Sequence, residues 1–173
     1  MMTLDLIGWF AVRLTMGYVY LFPFYLNIKD RAGREAMVES VCYMIPFVRE
    51  PWRSKLAVLF AIGSFGMMLF GGLSVLFGIE GRVGALLLLA FTAIGVYWHK
   101  CQRDVAMSEA DKVALTVSGS SKTDLTALKT AAYVGHFSSG IKNWPLCGMC
   151  IAFVCWGTGP YSISDWVGNY LLK

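Results

Sequence analysis

The residues of this chain best suited to ligate a metal or carry redox chemistry are its five cysteines and two histidines. Cys147 and Cys150 stand three apart, on one face of any helix that holds both, and His136 precedes them by about three turns. His99 and Cys101 form a second group, and Cys42 lies in an earlier polar connection. Thiolate and imidazole in such proximity can bind a metal or haem, or relay thiol redox chemistry. The spacing also sets limits. There is no Cys-x-x-Cys-His haem attachment, and a structural zinc site wants two tight pairs. Two cysteines one turn apart in an apolar helix also serve as small packing residues. His99, Cys101, His136, Cys147 and Cys150 are therefore the candidate metal or thiol ligands. Polar anchoring at a membrane interface is the competing role for the two histidines.

A second constellation is aromatic and cationic. Arg13, Tyr18, Tyr20, Trp98 and His99 offer charge, hydroxyl, indole and imidazole groups at depths where a quinone or lipid headgroup would sit. Arg13, Tyr20, Trp98 and His99 make up the candidate binding set. Trp9, Tyr25, Tyr97 and Trp98 equally match the aromatic belt of a membrane protein, which needs no ligand. No nucleophile elbow, phosphate loop or dinucleotide fingerprint occurs. The sequence thus assigns no catalytic residue and requires no cofactor of its own; a quinone or bound lipid is what the aromatic set would take.

The elements that must position these residues are apolar helices. Of 173 residues, 57% are hydrophobic and only 15% charged, against roughly a quarter charged in a soluble domain. Leu56 to Ile79 runs for 24 residues without a charge, and Val83 to Trp98 for 16 more. A membrane-spanning helix needs ~20 apolar residues, so these two runs read as an antiparallel pair turning at Glu80-Gly81-Arg82. Glycines at 63, 66, 71, 72, 78, 84 and 95 allow close helix approach. Leu6 to Ile28 is the first span, interrupted by Arg13 and by Pro23, which removes one backbone donor. Its start has an acid and no basic segment, and its apolar run is too long for a signal peptide, so the span is retained. Arg13 is expected to snorkel to the nearer interface or to meet Glu80 or Asp5. Trp144 to Tyr161 is the fourth span, with Pro145 tolerated in its first turn.

Spans near 6–28, 56–79, 83–99 and 144–161 predict a single domain, an all-α four-helix membrane bundle. The connections 29–55 and 100–143 carry interfacial or amphipathic helices at 36–48 and 123–137, with a flexible loop at 118–121. The tail from 162 to 173, with Trp166 and Tyr170, rests at the interface. The long connections, with His99, hold six Lys and Arg each, against Arg82 and Lys173 on the opposite face. That asymmetry predicts cytoplasmic long connections and both termini outside, as in a bacterial inner membrane. The net charge of +4, spread over these connections, suits anionic headgroups and not nucleic acid. An odd cysteine count with no secreted-scaffold spacing argues against a disulfide framework.

Several fragments, in order, resemble the DoxX family of small four-helix membrane proteins. They are Arg13-Leu14 with Gly17 and Leu21; Gly71-Gly72-Leu73, Leu76-Phe77-Gly78-Ile79, Arg82 and Gly84-Ala85-Leu86-Leu87-Leu88; and His136-Phe137, Lys142-Asn143, Leu146 and Gly148. The resemblance covers all four spans. It implies a four-helix bundle associated with membrane redox systems, one branch being the small subunit of thiosulfate:quinone oxidoreductase. Where family members often carry a glutamate before the double glycine, this chain has Met68, which favours an accessory role over a catalytic one. The leading expectation is a small accessory subunit in the lipid bilayer, packed against a larger redox or energy-transducing membrane complex. A quinone-linked oxidoreductase subunit and a stand-alone lipid- or solute-handling protein are the alternatives.

Overall fold

A computed structural model of the chain describes residues 4–159, 162–164 and 167. These form five helices: α1 (Leu4–Ile28), α2 (Arg31–Met44), α3 (Trp52–Phe77), α4 (Gly81–Ala114) and α5 (Ser120–Trp156). Among the described residues there is no strand. Helices α1, α3 and α4 are long and apolar enough to cross a membrane, which marks the chain as a membrane protein. The tail expected at the interface, with Trp166 and Tyr170, lies outside the described residues.

The four long helices alternate in direction and share one core of Met16, Tyr20, Val75, Ala85, Leu88, Cys150 and Phe153. Trp9 packs on Phe153 with ring centroids 6.1 Å apart, so α1 meets α5 as well as α3. The α3–α4 hairpin is close-packed through its glycines. A Cβ on Gly71 would stand 2.8 Å from Leu88 Cδ2 and 3.0 Å from the Gly84 carbonyl oxygen, so no larger residue fits between these backbones. The turn falls at Gly78-Ile79-Glu80, one or two residues earlier than the sequence suggests. Gly78 takes φ +68°, the left-handed cap that closes α3. The Ile79 amide returns to the Ser74 carbonyl at 3.0 Å, and Gly81 and Arg82 already belong to α4.

Each break in the chain has a local cause. Asp30 accepts the Gly33 amide at 2.7 Å and starts α2, while Arg34 Nη1 donates at 2.6 Å to the Ile28 carbonyl left open by the end of α1. Glu50 accepts the Ser54 hydroxyl at 2.8 Å and Arg53 Nε at 3.0 Å across the first turn of α3. Those bonds hold its carboxyl below the usual carboxylate range. Inside α1, Pro23 does not end the helix.

The largest departure from expectation is the second long connection. It is not a loop with a separate helix. Helix α4 continues past His99 to Ala114, and α5 begins at Ser120 and runs unbroken through 123–137, through Pro145 and on to Trp156. Only 115–119 remain non-helical, with Gly119 at φ +64°. The polar stretch reads as loop by hydropathy, yet Lys112 pairs with Glu109 within α4 at 2.6 Å, and Lys129 of α5 pairs with Asp111. Helices of 34 and 37 residues measure about 51 and 56 Å, some 20 Å beyond a ~30 Å hydrocarbon core. Pro145 therefore sits deep inside α5 and not in its first turn. The helix also ends before the expected Tyr161, because Gly157 (φ +79°) and Gly159 (φ +82°) turn the chain. Beyond the helix, Ser164 Oγ accepts the Glu80 amide of the hairpin turn at 3.1 Å, and Thr158 lies against Gly81.

Candidate functional site

Two polar clusters stand within the bundle, at different depths. The deeper one joins three helices. Tyr20 of α1, 3% exposed, lies with its hydroxyl 2.6 Å from Thr92 Oγ1 of α4 and 3.7 Å from Cys150 Sγ of α5. The donors can be assigned by elimination. Thr92 Oγ1 also sits 2.6 Å from the Leu88 carbonyl one turn back, which only accepts. The Thr92 hydrogen is committed there, so the Tyr20 hydroxyl donates to Thr92 and its oxygen receives the Cys150 thiol. The result is a one-way chain from thiol to phenol to hydroxyl to carbonyl. Phe91 closes over the phenol edge-on at 6.0 Å. Cys147, one turn earlier on α5, is also buried.

The second cluster lies about ten ångströms further along α4, seven residues beyond Thr92. His99 of α4 faces His136 of α5, with the two Nδ1 atoms 3.5 Å apart and ring centroids 5.8 Å apart. Trp98 packs edge-on to both rings, at 4.5 Å from His99 and 6.3 Å from His136. Its indole Nε1 is buried with no hydrogen-bond partner among the described residues. Gly140 faces His99 across the helix pair, and a Cβ there would make an ordinary contact, 3.6 Å from His99 Cβ. Nearby, Gln102 donates to the Ser40 carbonyl of α2 at 3.3 Å, and the Arg103 guanidinium lies over the Tyr133 ring at 5.7 Å.

The candidate residues from the sequence are thus distributed and not gathered. Arg13 is buried at the Gly78 end of the bundle, 4% exposed; a Cβ on Gly78 would lie 2.9 Å from its Nη1, with Ser162 beside it. It does not snorkel to the surface. Tyr20 stands mid-bundle, and Trp98 with His99 stands at the far end. Seven residues separate Arg13 from Tyr20, and seven more separate the Thr92 level from His99. The set spans about 20 Å at 1.5 Å per residue, more than one headgroup reaches. Among the metal candidates, His99 and His136 come together, Cys147 and Cys150 sit deeper, and Cys101 is half-buried on α4. No group of three or more His, Cys, Asp or Glu able to hold a metal occurs among the described residues.

Sequence reasoning missed Thr92, the central acceptor of the deeper cluster. Its signal was a lone hydroxyl in the apolar run from Val83 to Gly95, the kind of residue that bonds across helices in a membrane. No family model, curated protein or solved structure matches the chain.

Proposed function

We propose that the chain is a small accessory subunit of DoxX type, docked in a bacterial inner membrane against a larger redox or energy-transducing complex. The observation that carries this reading is a contrast along α3. Gly71 and Gly72 are filled by Leu88 and Leu21 of neighbouring helices, whereas Gly63 and Gly66 have nothing within 4 Å of where a Cβ would stand. Leu59, Ile62 and Phe70 flank these two glycines on the same exposed face. An apolar helix face alone is content with lipid. A face that also carries unopposed glycines at close spacing offers the shallow seat a second helix uses.

Under this reading α5 supplies the fourth span. Cys150 and Phe153 sharing the core of α1, α3 and α4 supports that count. The twelve Lys and Arg of the two long connections support a cytoplasmic placement for α2 and for the α4–α5 tip, with the termini outside.

Gentle purification of a tagged chain at native expression tests the proposal. Wild type is expected to bring a stoichiometric larger complex, and Gly63→Leu with Gly66→Leu to release it while helicity is kept. A monodisperse, colourless chain with no partner would sink the reading and leave lipid or solute handling in its place. The quinone-linked alternative draws on Arg13 and the neighbouring aromatics. It requires the purified chain alone to pass electrons from a sulfur donor to a quinone, and Arg13→Gln, at normal expression, to abolish that turnover.

A further inference from the structure

Between two facing imidazole nitrogens stands either a shared proton or a metal ion, and the separation discriminates between them. Protein N–H hydrogen bonds centre near 2.9–3.0 Å between heavy atoms and are weak by ~3.5 Å. Two imidazole nitrogens bound at ~2.0–2.1 Å to one tetrahedral zinc stand about 3.4 Å apart. The Nδ1 atoms of His99 and His136 are 3.5 Å apart, long for the proton and close to the edge of the metal polyhedron. We propose that His99 and His136 bind a borderline divalent cation, of which Zn2+ is the type, between α4 and α5.

Three further features support a cation at this position. The ligands come from two helices whose register is fixed independently: Lys129 pairs with Asp111 nearer the α4–α5 turn, and deeper in the bundle Tyr20 joins Cys150 of α5 to Thr92 of α4. With the ion on Nδ1, each neutral ring carries its proton on Nε2, so binding requires a tautomer choice and not a net loss of protons. The Trp98 ring lies against both imidazoles, and its indole N–H is buried without an acceptor among the described residues. A donor of this kind is satisfied by an oxygen acceptor, and a hydroxide held on an open coordination position keeps lone pairs free to accept it. With only two protein ligands the ion keeps open positions for water, which separates it from a closed structural zinc site. The imidazole donors also select the class of ion, since they suit Zn2+, Cu2+ and Ni2+ while Mg2+ and Ca2+ prefer oxygen.

The inference stands apart from the docking proposal and is tested on the purified chain. In a background with Cys42, Cys101 and Cys155 changed to serine, Zn2+ titrated calorimetrically into the detergent-solubilised protein is expected to bind once per chain. His99→Gln and His136→Gln, with unchanged helicity, are each expected to weaken that binding at least tenfold. Absence of saturable one-to-one binding, or binding that both glutamine variants leave unchanged, overturns the proposal. Should a glutamine variant lose helicity, Cu2+ bound to the histidine-intact background decides. Electron spin resonance showing coupling to two imidazole nitrogens supports the site, and coupling to one or none overturns it.

Discussion

The two polar clusters of this bundle differ in one respect that separates packing from binding. At Tyr20, Thr92 and Cys150 every donor has an acceptor, and the chain of bonds ends on a backbone carbonyl. At Trp98, His99 and His136 an indole donor is left over and the imidazole contact is long. A closed polar network inside a membrane fixes the arrangement of helices. An open one is poised for something that is not protein. The deeper cluster is therefore read as architecture, and the shallower one as the place where a ligand enters.

The comparison is broken most easily from the packing side. Phe153 is 1% exposed in the shared core and packs at a tilt against Trp9. Phe153→Ala is expected to cost ~3–5 kcal/mol through the cavity it leaves, read as a large fall in the detergent melting temperature. If instead the variant melts within a degree or two of wild type, the core does not hold the bundle together at this level. Thr92→Val comes next. It keeps the shape but strips the Tyr20 hydroxyl of its acceptor, an unsatisfied group worth ~1–3 kcal/mol. Tyr20→Phe is expected to cost less, ~0.6 kcal/mol, the average for an interhelical hydrogen bond in a membrane. A reversed order of these two would show that the donor chain runs the other way.

How much of this was legible in the sequence depends on which physical signal each feature leaves. The apolar runs of α1, α3 and α4 are visible because hydropathy is a local property, and Gly71, Gly72 and Gly84 mark close packing by residue type alone. The continuation of α4 and α5 past the apolar region was hidden, because 100–122 is polar and hydropathy reports solvent, not backbone conformation. Its helicity is sustained by pairs such as Lys112 with Glu109 and Lys129 with Asp111. His99 and His136 are 37 residues apart and meet only because a five-residue turn at 115–119 sets the register of two long helices. By residue type Arg13 seeks the nearer interface or an acidic partner such as Glu80 or Asp5; in the fold the Gly78 turn and Ser162 enclose it. That enclosure depends on a tail folding back, which no local pattern announces.

The smallest expected effect separates the two clusters most cleanly. Replacing Trp98 with benzothienylalanine, which carries sulfur in place of the indole N–H, keeps both fused rings and removes only the donor. Since that N–H has no partner in the protein, losing it leaves nothing newly unsatisfied, and relieving a buried orphan donor is neutral or stabilising. The metal-free protein is thus expected to melt within ~0.5 kcal/mol of wild type, or slightly above it, unlike Thr92→Val. With Zn2+ present the sign is expected to change. A hydroxide completing the coordination sphere would accept the indole hydrogen, so the benzothienyl variant should gain less thermal stabilisation from saturating Zn2+ than wild type, as linkage requires of a weaker ligand site. Equal zinc-induced shifts in both proteins would detach Trp98 from the histidine pair. A clear loss of stability without metal would mean that the indole N–H is satisfied in the membrane-bound protein after all, making the shallower cluster as closed as the deeper one.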